Sequence, residues 1–220
     1  MAPMPRVPAT GAARPRDHAQ EGTPAWWREF SQAAPRIAAA ERPLRHLAAS
    51  AIKSQLGCAL AASDGVVGAH CIHELWMRRD LTVNIDTALE ELWKRAAQSI
   101  PDWLPMRDID WLPLAYEVGA QFRARASGRT NVYLVLLDYS DSRDEPHGVY
   151  VGMSHYSPQQ RFDQHKAGIR AAGCVLRRGI EVLTGPTLHL RYISRPDATR
   201  IEGELAAALR DAGLFVQGGH

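Results

Sequence analysis

Two short apolar runs separated by a polar stretch constrain this chain most. The first reads Asn131-Val132-Tyr133-Leu134-Val135-Leu136-Leu137 and the second Gly148-Val149-Tyr150-Val151-Gly152-Met153. Both are rich in β-branched and apolar side chains and read as strands. Between them, Asp138 to His147 is a polar turn region holding Pro146. Adjacent strands joined by a loop of this kind pair most simply as an antiparallel hairpin. Pro158 stands where a first helical turn would place it, opening a helix through Ala167 that Gly168 ends. Leu188 to Ile193 alternates as a third strand, and Asp197 to Ala212 reads as a last helix closed by Gly213.

Upstream of the first strand the pattern differs. From Ala25 to about Ala126 it is mostly helical, with apolar residues recurring at three and four residue intervals in Phe30 to Leu47 and Ile85 to Ile100. Asp86 or Thr87 is placed to cap the run of helix formers from Ala88 to Ala97, and Pro101 stops it. Trp103, Trp111 and Tyr116, interleaved with Pro101, Pro105 and Pro113, suggest a packed connector. All six tryptophans fall in the first 111 residues and read as core and interface aromatics.

A chain of 220 residues holds one large core, or a catalytic domain of about 100 residues with a companion of similar size. The change of pattern favours the second. We expect a disordered leader over 1–24, a mainly helical region over 25–126, and an α/β (α+β) domain over 127–220 with a small three-stranded antiparallel sheet flanked by helices. The leader is rich in Pro, Ala, Gly and Arg and lacks large apolar side chains to offset the entropy of ordering. A hydrophobic content of 45% and a charged content of 23% exclude global disorder. The sequence has neither an apolar signal core nor a run of about 18 apolar residues. Cys58, Cys71 and Cys174 are odd in number and widely spaced, unlike a disulfide framework. These features point to a cytoplasmic protein.

The net charge of +2 hides an uneven distribution. Between Arg161 and Arg195 the chain carries seven Arg and Lys residues against Asp163 and Glu181, a natural track for phosphates. Arg161 and His165 stand four apart and project from one helix face, where guanidinium and imidazole can meet one phosphate or its attacking water. Glu202 lies in the last helix, and a lone carboxylate suits magnesium, which keeps most of its waters. Glu204 is the weaker ligand. His70-Cys71-Ile72-His73 with Cys58 matches no familiar zinc spacing and reads as ordinary helix.

The two tyrosine strands, Arg161-Phe162 with Gln164-His165-Lys166-Ala167-Gly168, Glu202 between Ile201 and Leu205, and the closing Val216-Gln217-Gly218-Gly219-His220 together resemble the GIY-YIG nuclease family over about 131–220. The first triplet, Asn131-Val132-Tyr133, lacks the leading glycine, and Gln217 stands where many members carry asparagine. The resemblance implies a metal-dependent endonuclease that hydrolyses phosphodiester bonds in DNA, RNA being the other possible substrate. By the same resemblance Tyr133, Tyr150, Arg161 and His165 are catalytic, with Tyr150 or His165 as the base, and Glu202 binds Mg2+ or Mn2+. Lys166, Arg170, Arg177, Arg178 and Gln217 would contact the substrate. The helical region would supply target recognition or a homodimer interface. Two alternatives remain: a nucleic-acid-binding module that has lost cleavage, and a toxin or effector nuclease with a protein partner.

Overall fold

The computed structural model describes residues 25–219; the leader expected over 1–24, and His220, lie outside the described residues. Among the described residues, five α-helices precede the first strand: α1 (Ala25–Ala33), α2 (Ala49–Ala62), α3 (Gly65–Met77), α4 (Ile85–Ala96) and α5 (Leu112–Gly119). The periodic stretch from Phe30 to Leu47 is not one helix. Pro35, which has no N–H to donate, sits in the first of two short 3-10 turns that follow α1, before Arg42 adopts a left-handed φ of 46°. Glu74 of α3 is 1% exposed and accepts from both Arg42 and Arg78, and Arg78 also donates to the carbonyls of Leu44, Arg45 and Leu47. That network fastens the irregular stretch to α3. The cap of α4 is Asn84, whose side chain accepts from the Thr87 N–H at 2.8 Å, rather than Asp86 or Thr87.

The second half contributes β1 (Asn131–Asp138), β2 (His147–Ser154), α6 (Pro158–Lys166), α7 (Gly173–Arg178), β3 (Gly179–Leu183), α8 (Arg195–Asp211) and β4 (Val216–Gly218). The fold is α+β, but the sheet has four strands in the order β3-β1-β2-β4, and it is mixed. β1 pairs antiparallel with β2 and β3, while β4 runs parallel to β2. The expected third strand over Leu188 to Ile193 is corrected. Gly185–Leu190 is a 3-10 segment opened by Pro186, and Ile193 makes only an isolated bridge to Thr130. The strand lies earlier, at Gly179–Leu183, where Ile180 and Val182 supply the β-branched side chains.

Alternation along β1 divides the core into two parts. Val132, Leu134 and Leu136 face a large buried cluster that reaches from Trp27 and Ile52 through Trp103 and Leu112 to Ile201 and Leu205 of α8. Apolar packing therefore crosses position 126/127. Tyr133, Val135 and Leu137 point the other way, into a smaller cluster closed by Phe162 of α6 and Val175 of α7. With both faces covered, all seven residues from Asn131 to Leu137 are buried. Each fully buried aliphatic side chain contributes about 1.5–3 kcal/mol.

His70 and His73 are buried rings of α3 that contact Trp103, and His73 also contacts Tyr116. His70 Nε2 donates to the Ala34 carbonyl at 3.1 Å. No helix among the described residues is long and apolar enough to cross a membrane.

Candidate active site

The site is built where the smaller cluster reaches the β2–β4 edge. Tyr133 and Tyr150 stand on neighbouring strands and share a face, because Val135, two residues from Tyr133, pairs directly with Tyr150. Their ring centroids lie 6.2 Å apart. Gly152, opposite Tyr133, makes this approach feasible: a Cβ there would lie 2.5 Å from Cε1 of Tyr150 and 2.9 Å from Cζ and Oη of Tyr133. Gly218, with φ +81°, lies against the other side of the Tyr150 ring, where a Cβ would come within 2.8 Å of Cε2. Two glycines thus bracket Tyr150.

α6 delivers His165 to the same place. Pro158 opens this helix and Gly168, at φ +78°, follows its end, as the sequence predicts; Ser157 also caps it with a reciprocal Ser157–Gln160 box. His165 is 1% exposed and uses both ring nitrogens. Nδ1 accepts from the Ala172 N–H at 2.9 Å, so in the neutral ring the proton sits on Nε2, which donates to the Tyr133 hydroxyl at 3.1 Å. Burial, and then the nearby Arg161, lower the histidine pKa to about 4, so the ring is neutral at physiological pH. Neither nitrogen retains a lone pair for a water.

The Tyr133 oxygen thus accepts from His165, and the neighbouring Tyr133 hydroxyl pulls the Tyr150 pKa down. Burial outweighs that effect, and the Glu202 carboxylate adds to it, so Tyr150 stands above the ordinary tyrosine value. Tyr133, 1% exposed, is raised further, again by burial first. A chain of donors therefore runs from the Ala172 amide through His165 to the Tyr133 oxygen, with the Tyr150 ring beside it.

Arg161 faces Tyr133 and is held in place by backbone. Its Nη1 donates to Gln164 Oε1 at 3.1 Å and to the Ile169 carbonyl at 3.2 Å, and its Nη2 to the Arg170 carbonyl at 2.8 Å. These bonds fix the guanidinium as a preset positive charge. Glu202, on α8, is 9% exposed and close enough to Tyr150 to act on it. No group of three or more His, Cys, Asp or Glu side chains suited to a metal occurs among the described residues. A single acidic side chain fits magnesium, which takes one or two carboxylates and otherwise water. Gln217 pairs with Tyr150 in the parallel β2–β4 ladder and so shares its face.

The expected substrate-contacting residues separate into two groups. Gln217 joins the tyrosines, and Arg170 lies beside Arg161 in an open cleft of about 530 Å³ that also holds Arg195, His155 and Tyr156. The cationic heads of Lys166 and Arg178 are bound within the fold. Lys166 Nζ donates to the carbonyls of Leu176 and Gly179, at the end of α7. Arg178 pairs with Asp141 at 2.6 Å, donates to the Asp138 carbonyl and lies over the Tyr139 ring at 4.5 Å. Arg177 lines a separate small cleft with Asp138 and Asp141. Residues that the sequence did not mark as part of the site are Gly152, the Ala172 amide and Asn131. Comparison of the chain with protein-family models, with curated proteins and with solved structures found no match.

Proposed function

We propose that this protein is a metal-dependent endonuclease that hydrolyses phosphodiester bonds in DNA, with RNA as the other possible substrate, through a GIY-YIG-type site. The observation that carries the reading is the directed chain from the Ala172 amide through His165 to Tyr133, with Tyr150, Arg161 and Glu202 beside it. Tyr150, as its phenolate, is the base. It takes a proton from the attacking water and becomes the neutral phenol as that oxygen bonds to phosphorus, and the bond from phosphorus to the leaving sugar oxygen breaks. The leaving oxygen collects a proton from solvent. Tyr133 stabilises that phenolate before the step by donating to it, and His165 holds Tyr133 in the orientation that allows this.

Arg161, already aligned by backbone carbonyls, offsets the charge that gathers on the phosphate oxygens. Glu202 would hold magnesium or manganese, which when bound supplies Lewis-acid stabilisation of the same charge. Its cation would also offset the Glu202 charge that now raises Tyr150. Three free cysteines suit a reducing cytoplasm.

A nucleic-acid-binding module without cleavage is the second reading, favoured by the raised Tyr150 hydroxyl. One experiment separates them. Purified protein is incubated with supercoiled plasmid in magnesium or in chelator, beside Glu202→Ala. Magnesium-dependent nicking that disappears in the variant supports the nuclease. Salt-sensitive binding with no nicking under any condition supports the module and removes the nuclease.

A further inference from the structure

Beside the tyrosine cluster, the cleft bordered by Arg161 carries no acidic residue. Its cations are Arg161, Arg170 and Arg195, and the side chains of the last two make no hydrogen bond or ion pair among the described residues. The cleft of about 520 Å³ elsewhere on the protein is rimmed by Asp80, Asp108, Asp110 and Glu145 against one arginine, Arg79. A polyanion is therefore attracted to the first and repelled by the second.

The basic cleft is also aromatic and exposed. Tyr156 and Ile169, which line it, are 42% and 55% exposed, and Tyr192, in the loop before Arg195, is 63% exposed. Tyr156 lies on His155 with ring centroids 4.1 Å apart. One side chain ties these parts together. Asn131, 3% exposed, donates from Nδ2 to the carbonyls of Ser154 and Tyr156 and accepts from the Tyr192 N–H on Oδ1. Arg170 and Tyr192 both hold left-handed φ angles, 46° and 57°, which are unusual for residues with a Cβ. Aromatic rings held open to water next to unpaired arginines have little structural reason to be there. They make a stacking platform with a phosphate track.

From this arrangement we infer that the cleft takes unpaired nucleotides of a single strand, with bases stacked on Tyr156 and Tyr192 and phosphates on Arg170 and Arg195. The inference rests on the proposed phosphodiester site, because Arg161 forms the shared wall between the two. A paired base within a duplex presents only its edge and backbone, so it cannot lie flat on these rings without leaving the helix. A volume of about 530 Å³ lies within the roughly 300–1,000 Å³ of small-ligand clefts and admits a nucleotide. Substrates with a single-stranded segment next to the cleaved bond would then be preferred over continuous duplex. Asn131 is a positioning residue for the platform.

The test is binding of a short fluorescein-labelled DNA strand, alone or annealed to its complement, followed by anisotropy in chelator so that cleavage does not interfere. Wild-type protein should bind the single strand more tightly than the duplex. Tyr156→Ala and Tyr192→Ala should each weaken single-strand binding about tenfold and leave duplex binding unchanged, while Tyr156→Phe retains it. Arg170→Ala should reduce the salt dependence of binding. Because Tyr156 is held through its backbone, its Ala variant should melt with the wild type. Equal affinity for both DNA forms, or Ala variants that bind the single strand as wild type does, would overturn the inference, the latter reducing the cleft to an anion site. Plasmid nicking without this tyrosine dependence leaves the nuclease reading intact and removes the platform. Tyrosine-dependent single-strand binding without cleavage does the reverse.

Discussion

The Tyr133 hydroxyl lies 3.1 Å from Nε2 of His165, whose other nitrogen is occupied by the Ala172 amide. The relationship gives the histidine a direction rather than a charge. Tyr133→Phe removes the acceptor of a buried N–H, at a cost of about 1–3 kcal/mol, and removes the neighbouring hydroxyl that lowers Tyr150. Urea titration should report that loss of stability, and magnesium-dependent nicking should slow by about tenfold or more. Wild-type nicking by the Phe variant would take Tyr133 out of the mechanism.

The pH dependence of cleavage distinguishes the two candidate bases. Tyr150 titrates above the ordinary tyrosine value, so its phenolate fraction should rise about tenfold per pH unit throughout the neutral range. His165, lowered to about 4, is already neutral there and should add no break near pH 6.5. Initial nicking rates from pH 6 to 9 should therefore increase steadily, and Tyr150→Phe should reduce them by about a hundredfold or more. A plateau throughout that range would take the role of base away from Tyr150.

Gly152→Ala tests whether the tyrosines must approach each other. The added Cβ would lie 2.5 Å from Tyr150 Cε1 and 2.9 Å from Tyr133 Oη, distances that only a shift of both rings relieves. The variant should keep its far-ultraviolet circular dichroism, lose part of its near-ultraviolet signal and cleave at least about tenfold more slowly. Unchanged near-ultraviolet signal and unchanged rate would show that the rings have room to spare.

The elements that position the site could largely be read from sequence because local chemistry determines them. Ser157-Pro158 starts α6, Gly168 follows its end, and the alternating β-branched runs form β1 and β2. Leu188 to Ile193 misled because alternation is a weaker signal than a preceding Gly-Pro, and β4 escaped because three residues carry no period. Side-chain roles were harder to read. Lys166 and Arg178 look like phosphate ligands until the fold brings carbonyls and Asp141 to them. Asn131, at the place of a missing glycine, joins Tyr156 to Tyr192 through bonds spanning 25 and 61 residues, which no local pattern encodes.

Acid should destabilise the fold through its buried histidines. Burial lowers His73 to about 3 and His165 to about 4, against an ordinary 6.5. Between pH 6.5 and those values the unfolded chain binds protons that the folded chain refuses, so stability is full above pH 6.5 and falls as pH decreases. From pH 7 to 5 each ring should cost about 2 kcal/mol. Glu181 and Asp108, whose carboxyls burial raises, bind protons more readily when folded and work in the opposite direction. The difference between variants isolates the histidine. His73→Leu keeps an apolar side chain against Trp103 and Tyr116, and urea titrations at pH 7 and 5 should show a fall smaller than wild type by about 2 kcal/mol. Equal falls in both proteins would mean that His73 takes up its proton in the folded state as readily as in the unfolded one.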